Sequence, residues 1–231
     1  MSGEFAPLGR RGQMPYRTKQ EFVYETLRDA IMRCELGPGQ RLVIDELARR
    51  LEVSAIPVRE ALQLLQSEGL VANVPHVGAT VSPISRESIA EVFSIMEGLE
   101  IVATRAAAER MTDADADALQ AITSTMDAAL AAGRNEEWAD LNSRFHSAIS
   151  GLSAMPLLQE MTDRVLARWD RVRRYYLKGV LVDRLERAQE EHRAMVQAMR
   201  ARDLPGLERL VKQHNQGALQ AYAEFLRSQA G

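Results

Sequence analysis

The chain has 231 residues, of which 46% are apolar and 26% are charged, values that are ordinary for a soluble globular protein. No stretch approaches the roughly 20 apolar residues that span a bilayer, so no membrane partner is expected. The formal net charge is −3, and residues 18–83 carry 7 Lys and Arg against 9 Asp and Glu. Bulk charge therefore gives no sign of nucleic-acid binding, and such a function has to rest on motifs.

The N-terminal residues 1–17 are predicted to be a disordered tail. Arg10 and Arg11 are followed by no apolar run, which argues against a secretory signal. Cys34 is the lone cysteine, so the sequence offers neither an internal disulfide nor a cysteine-based zinc finger. These features favour a reducing, cytoplasmic setting.

Residues 18–83 are predicted to form three helices followed by a small hairpin. Apolar residues at helical spacing define the helices, and Gly37, Pro38 and Gly39 end the first one. Ser54 is placed to cap the third helix, and Pro57 is tolerated in its first turn. Val and Thr residues around a Pro/Gly turn indicate two strands. The predicted elements are helices 19–34, 44–51 and 55–68 and strands 70–74 and 79–82, which is the order of a winged helix-turn-helix.

From Ser85 onward the pattern is helical throughout. Thr112 with Asp115 three residues later resembles a capping box, Gly133 ends the helix that follows, and Asp203 is placed to cap the last helix. The predicted helices cover 85–110, 113–132, 136–150, 156–178, 183–202 and 205–228. Because the connections are short, we expect an antiparallel six-helix bundle over residues 84–231, and a mainly α fold for the chain.

Residues 54–62 are predicted to present a DNA-reading face. Four apolar residues at helical spacing are expected to face the core: Val58, Ala61, Leu62 and Leu65. The positions left to point outward are Ser54, Ala55, Ile56 and Arg59. Of these side chains, only that of Arg59 can make a bidentate contact to guanine. The structural alternative is a solvated charge or an ion pair of Arg59 with Glu46 or Glu60.

A run of fixed spacings over residues 38–71 resembles the GntR family of transcription regulators. The shared residues are Pro38-Gly39, Leu42, Glu46-Leu47-Ala48, Ser54, 57–62 and 68–71. The resemblance implies that the helix after Ser54 enters the major groove and that the hairpin wing reaches the DNA backbone or minor groove. The chain departs from the family at Ala55 and Ile56, where Arg and Thr are usual, at Asp45, where some members have Arg, and at Val77, where a basic residue is common.

The expected DNA-binding residues divide into three groups. Base contacts are assigned to Arg59 with its neighbours Ser54, Ala55, Ile56 and Pro57. Phosphate contacts are assigned to Arg41, Arg49, Arg50 and Thr80. The wing tip contributes His76 and Gly78, where His76 has the structural alternative of a simple turn residue.

Three histidines lie on the apolar faces of three different predicted helices: His146, with Asn142 one turn before it, His192 and His214. Each imidazole is expected to point into the bundle, where an unpaired polar group costs about 1–3 kcal/mol. One divalent metal ion would satisfy all three imidazoles. The alternative is three unrelated core histidines, each hydrogen-bonded to a neighbour, and spacing alone leaves both interpretations open.

Residues 85–228 resemble the FCD ligand-binding domain of the FadR branch of the GntR family. The pieces that carry the resemblance are Leu141-Asn142-x-x-Phe145-His146, 191–195 (Glu-His-Arg-Ala-Met), Ala201-Arg202-Asp203 and His214. The resemblance implies a divalent ion, often zinc or nickel, held by Asn142, His146, His192 and His214, with small carboxylates completing the coordination. Asn142 stands where Asp is commoner.

The same resemblance implies an effector pocket beside the metal. Family members often hold an anionic effector with an Arg at the position of Met96 in this chain. Arg105 and Arg164 are candidates to replace it. The expected effector is an organic acid metabolite that touches the metal.

The sequence therefore predicts a ligand-responsive DNA-binding regulator, more commonly a repressor, which acts as a homodimer on a pseudo-palindromic operator. A rival hypothesis is a metal-dependent hydrolase or lyase, since three histidines with an open position could activate water. Against it, no Glu or Asp is clearly placed as a general base. A second rival is a nucleoid-type DNA binder without a ligand.

Overall fold

The computed structural model describes residues 18–176 and 182–228. Over these residues the chain has nine helices and one two-stranded sheet, which confirms the mainly α fold class. They form two compact units that divide between Ile84 and Ser85. The predicted tail, residues 1–17, lies outside the described residues. Within the described ranges no helix has both the length and the apolar character needed to cross a membrane.

The element boundaries follow the sequence pattern to within two residues wherever the chain is described. The first unit contains α1 (Lys19–Met32), α2 (Ile44–Arg50), α3 (Ala55–Ser67), β1 (Val71–Val74) and β2 (Gly78–Val81). The second contains α4 (Arg86–Arg110), α5 (Asp113–Ala131), α6 (Asn135–Leu152), α7 (Pro156–Tyr176), α8 (Val182–Ala201) and α9 (Leu204–Ser228). The predicted end of α7 at Lys178 falls outside the described residues.

The start and the end of α1 have local causes. The Thr18 hydroxyl accepts a hydrogen bond from the Glu21 amide at 3.0 Å and caps the helix. The helix ends before Cys34, where we had predicted its last residue, because Cys34 has a left-handed backbone with φ of 59°. An L-residue in that conformation cannot continue an α-helix.

The first unit packs α1 against α3 and supports a small wing. β1 and β2 pair in antiparallel register from Val71 opposite Val81 to Val74 opposite Gly78. The segment before α2 runs beside β2 through an isolated bridge, in which Arg41 pairs with Thr80 and the Leu42 amide donates to the Ala79 carbonyl at 2.8 Å. The core beneath is apolar and includes Val23, Leu27, Ile31, Leu36, Leu47, Val58, Ala61, Leu65 and Val81.

The second unit is organised around α4, which packs against α6, α7 and α9, while α5 and α9 both flank α8. Two capping boxes start its first helices. Ser85 and Ser88 form one, and Thr112 and Asp115 form the other, as the sequence predicted. The Asp203 carboxylate accepts the Gly206 amide at 2.9 Å and caps α9, again as expected.

Candidate metal centre and nucleic-acid interface

Helix α3 separates a buried face from an outward face. Val58, Ala61 and Leu65 are fully buried, which anchors the helix on the core of the first unit. Arg59 is exposed, and Ile56 in the first turn is 66% exposed. Among the described residues no ion pair joins Arg59 to Glu46 or Glu60, so the ion-pair alternative for this side chain is not supported, whereas a solvated charge is compatible with its exposure. The helix therefore presents one free guanidinium beside an apolar side chain.

Two residues assigned to DNA contact are buried instead. Pro57 turns inward in the first turn of α3, so its role is to start the helix against the core. Thr80 is 6% exposed, and its hydroxyl donates to the Ala72 carbonyl at 3.3 Å across the wing. The assignment of these two side chains to a DNA-contact surface was wrong, because the sequence pattern did not show which face of the short elements packs inward.

Other residues of the predicted DNA-binding set lie at or near the surface. Ser54 holds the N-cap position of α3, and its side chain makes no cap hydrogen bond. His76 is exposed at the wing tip with φ of 64°. The set also includes exposed Arg41 and Arg49 and half-buried Ala55, Arg50 and Gly78.

The second unit brings its three histidines together inside the bundle. His146 on α6, His192 on α8 and His214 on α9 are all buried, and one ring nitrogen of each lies within 4.8 Å of those of the other two. Their rings are in mutual contact, with centroids 4.7–5.4 Å apart. The predicted convergence of three helices on one point is therefore present in the structure.

A buried carboxylate holds each of two imidazoles by its Nδ1 atom. Glu100 on α4 lies 2.7 Å from Nδ1 of His146, and Glu191 on α8 lies 2.8 Å from Nδ1 of His214. With Nδ1 donating to the carboxylate, the lone pair of Nε2 is left for another partner. Carboxylate–imidazole pairs of this kind orient histidines that bind metal.

The electrostatics of these pairs favour ionised carboxylates beside the imidazoles. Burial alone would raise the pKa of Glu100, but its electrostatic interaction and hydrogen bond with the His146 ring outweigh burial and lower it. For Glu191 burial again acts upward, and the hydrogen bonds of His214 and Arg184 bring the pKa below its ordinary value. Both carboxylates are thus held as hydrogen-bond acceptors for the imidazoles.

His192 is the least satisfied of the three imidazoles. It is fully buried, and among the described residues neither of its ring nitrogens has a hydrogen-bond partner. Burial, followed by the nearby His214 and His146, holds its pKa well below the ordinary value, so the ring is neutral. A neutral imidazole with an unused lone pair is the form that binds a divalent metal. The residues present therefore fit a metal ion.

A cavity of about 40 Å³ adjoins the three-histidine cluster. Asn142, one turn before His146, and Met96 both line it, as predicted for a fourth ligand and for the effector pocket. Arg105 and Arg164 do not line it, and their assignment to the pocket was wrong. Their side chains are 69% and 73% exposed and pair with Glu109 and Glu160 on their own helices, because they lie on the solvent side of α4 and α7.

Sequence reasoning missed five polar side chains that line this cavity or hold its imidazoles. They are Glu100, Glu191, Arg184, Asn215 and Tyr222, and each is buried. Glu100 had a signal in the sequence, because it is the acidic residue on the apolar face of α4 that carries Phe93 and Met96. Arg184 had none, since only the fold brings the first turn of α8 against α9.

The same geometry bears on the hydrolase alternative. Glu100 and Glu191 are the carboxylates beside the cluster, and both are occupied as acceptors of imidazole hydrogen bonds. A general base needs a carboxylate within reach of the water it activates and not committed elsewhere. The arrangement suits a site that binds a ligand, and it does not support the hydrolase hypothesis.

Two family matches cover most of the chain. Residues 19–81 match the family described as bacterial regulatory proteins, gntR family, and residues 91–217 match the FCD domain. The match to the FCD domain contains all four predicted metal ligands, and the match to the gntR family contains the whole predicted DNA-binding set.

Curated relatives agree with these matches over nearly full length. The HTH-type transcriptional regulator McbR of Escherichia coli (strain K12) is 29% identical over 84% of this chain and 88% of its own length. The HTH-type transcriptional repressor RspR of the same organism is 27% identical over 92% of this chain and 91% of its own length.

Solved structures show the same architecture. Escherichia coli McbR/YncC superimposes with a TM-score of 0.69 at 26% identity, over 94% of this chain and 100% of that one. A transcriptional regulator described as a GntR family member, from Pseudomonas syringae pv. tomato str. DC3000, gives a TM-score of 0.53 at 25% identity over 97% and 92% of the two chains.

Proposed function

This chain belongs to the gntR family of bacterial regulatory proteins, and we propose that it is a cytoplasmic repressor whose affinity for operator DNA changes when an organic acid binds beside a metal ion. The DNA-binding module is residues 18–83, and the effector-binding domain is residues 84–231. The observation that carries the proposal is the buried cluster of His146, His192 and His214 beside a cavity, in a chain that also presents an exposed recognition helix.

On DNA, two copies of the chain place their α3 helices in successive major grooves of a pseudo-palindromic site. Arg59 contacts a guanine, and Arg41, Arg49 and Arg50 contact phosphates. Exposed Ile95 and Val102, seven residues apart on α4, support the second copy as a partner, because they offer an apolar strip on one helix face.

In the bundle, His146, His192, His214 and Asn142 hold a divalent ion. Imidazole nitrogen with an amide oxygen is a donor set that suits zinc or nickel. When bound, the ion supplies a positive charge and an open coordination position for an anionic effector group. Glu100 and Glu191 fix the orientation of two of the imidazoles, and the apolar walls of the cavity exclude water.

Regulation requires that the effector binds one arrangement of the protein more tightly than another. The effector and the operator then weaken each other's binding by the same factor, since the coupling free energy is shared. A coupling of 1–3 kcal/mol, about 5-fold to 150-fold in affinity, is typical of such systems.

The test combines metal analysis with a gel-shift survey of DNA fragments from the region around the chain's own coding sequence. We expect about one zinc or nickel ion per chain and retardation of one fragment that weakens steeply with added salt. Equal retardation of all fragments would favour a nucleoid-type binder. Absence of metal from protein that was never exposed to chelator would contradict the metal site.

A further inference from the structure

Arg184, in the first turn of α8, is a buried cation at the edge of the cavity. Its side chain is 9% exposed. It lines both the 40 Å³ cavity beside the histidines and a wide surface groove between α8 and α9. One guanidinium thus forms part of the wall that separates the interior from solvent.

Some N–H groups of the Arg184 guanidinium have no acceptor among the described residues. Its Nη2 donates to Glu191 and, at 3.1 Å, to the His214 carbonyl. Its Nε and Nη1 atoms are buried, and among the described residues they have no hydrogen-bond partner. Buried N–H groups without acceptors are costly, and guanidinium N–H groups pair best with a carboxylate. The donors left over at Arg184 therefore match a ligand that brings its own anionic oxygen atoms.

The opposite helix makes room for this guanidinium. A Cβ atom placed on Gly217 of α9 would lie 3.0 Å from Nη2 of Arg184 and 3.3 Å from its Cζ. These distances are tighter than ordinary van der Waals contact, so the guanidinium occupies space that a side chain at position 217 would need. The lack of a side chain at Gly217 therefore leaves room for the Arg184 guanidinium in this position.

The outer groove carries the same sign of charge. Arg187, Arg209 and Lys212 line it together with Arg184, against Glu224 as its acidic member. A cleft lined by one sign of charge raises the local concentration of the opposite ion. The groove is therefore an access route that favours anions.

Apart from Glu100, Asn142, Asn215 and the two imidazoles of His146 and His214, the side chains that line the cavity are largely apolar, which favours a ligand with an apolar body. Phe93, Leu166, Trp169 and Ala218 contribute apolar walls. Tyr222, 1% exposed, adds a buried hydroxyl that has no hydrogen-bond partner among the described residues. A cavity of about 40 Å³ admits a few atoms, since a single water needs roughly 10–15 Å³ on this measure.

We propose that Arg184 is the anion anchor of the effector cavity, and that the effector is a small monocarboxylate with a compact apolar body. The ligand carboxylate pairs with the free N–H groups of Arg184, while its body lies against the aromatic walls. This assignment rests on the proposed function, because it takes the cavity to be the effector site.

The probes are acetate, propionate and butyrate, each compared with its neutral amide, titrated calorimetrically into the zinc-loaded full-length protein. We expect at least one carboxylate to bind at least 10-fold more tightly than its amide. Arg184→Gln lowers that affinity by roughly 10-fold to 100-fold, the loss expected for a charge-assisted pair. Arg200→Gln is the matched control, because Arg200 lies on the same helix, pairs with Asp117 of α5 and lines neither the cavity nor the groove. It changes affinity less than about 3-fold.

A second variant keeps every charge. In Gly217→Ala the added Cβ atom displaces the guanidinium. Because alanine favours an α-helix more than glycine does, the protein stays folded. The substitution weakens carboxylate binding at least 5-fold, while Gly98→Ala, at a site with nothing within 4 Å, does not.

Three results would overturn the anchor. They are carboxylate binding that survives Arg184→Gln and Gly217→Ala, zinc loss from Arg184→Gln that accounts for its weaker binding, and a panel in which no carboxylate is preferred. Zinc content and operator retardation of the same wild-type preparation test the proposed function separately. A regulator that passes those two measurements and fails the titration has an effector of another class.

Discussion

The two units of the molecule place their polar chemistry in opposite locations. Within residues 18–84, Thr80 is the sole buried polar side chain, and the residues proposed to meet DNA lie mostly on the surface. Within residues 85–176 and 182–228, the candidate site is built from buried groups, including Glu100, His192 and Glu191. The first unit carries its candidate contact residues on an exposed face over an apolar core, and the second carries its candidate site within the core.

This difference sets how each function responds to its surroundings. Contacts between exposed cations and phosphates are screened by salt, so DNA binding should be tuned by ionic strength. Buried charges and imidazoles are screened little, and they respond instead to protons, metal ions and ligands that reach the interior. The same change of side chain should therefore have different consequences in the two units.

The largest effect is expected from His192→Ala in the second unit. At free zinc 1,000 times its dissociation constant, metal binding adds about 4 kcal/mol to the free energy of unfolding. His192 is the imidazole that has no hydrogen-bond partner among the described residues, and its removal should abolish this gain. Thermal unfolding with and without chelator measures the gain, and metal analysis measures the bound ion. His76→Ala in the wing is the control and keeps both. A His192→Ala protein that retains its metal would break the assignment of the interior site.

The next effect is expected at the surface of the first unit. Arg59→Ala should lower affinity for the operator by about 1–3 kcal/mol, or about 5-fold to 150-fold, while affinity for unrelated DNA changes little. Gel-shift titration of operator and scrambled duplexes measures both quantities. Arg33→Ala, which replaces the exposed arginine at the C-cap of α1, should leave the affinity for both duplexes unchanged. Equal losses for the two duplexes would show that Arg59 contacts phosphate only.

A smaller and continuous effect is expected from pH. Burial is the main cause that lowers the pKa of His192 and of His214 below 6.5 in the folded protein. As pH falls through 6.5, the unfolded chain therefore takes up protons that the folded, metal-free protein does not. The free energy of unfolding therefore decreases as the pH decreases, by up to about 1.4 kcal/mol per pH unit for each imidazole.

Denaturant titrations of chelated protein between about pH 5 and pH 7.5 measure this slope. Glu100 and Glu191, whose pKa values are lowered from 4.5, stay ionised in the folded protein across that window, and the stability that they contribute begins to fall only at its lower end, as the unfolded chain starts to protonate. His192→Gln should flatten the slope, and His76→Gln should not. A rise of stability toward low pH would mean that the buried imidazoles are charged.

Much of this molecule was predictable because its signals are local in sequence. Glycine, proline and capping residues fix helix ends within a few positions, as Thr112 with Asp115 shows. The three histidines were predictable as a group because each falls on the apolar stripe of its own helix. Their neighbour Asn142 follows from the same periodicity.

The rest depends on contacts between helices distant in sequence. Glu191 adjoins His192 in the chain yet holds His214 on another helix, and Arg184 reaches the cavity only because α9 presents Gly217. Arg105 and Arg164 were wrong because charge alone does not reveal which helix face is solvated. Periodicity predicts that a residue is buried, and only packing shows which residues it meets.

The smallest expected effect contrasts two N-caps, one in each unit. The Thr112 hydroxyl accepts the Asp115 amide at 3.3 Å, whereas Ser54 makes no side-chain cap bond at the start of α3. Thr112→Ala should lower the free energy of unfolding by about 1 kcal/mol, the usual value of a cap. Ser54→Ala should lower it by less than about 0.5 kcal/mol and instead weaken operator binding. Denaturant unfolding and gel shifts on the two variants measure both quantities. A stability loss at Ser54 equal to that at Thr112 would place Ser54 with the structural caps, and would leave Arg59 as the main polar contact of α3 with DNA.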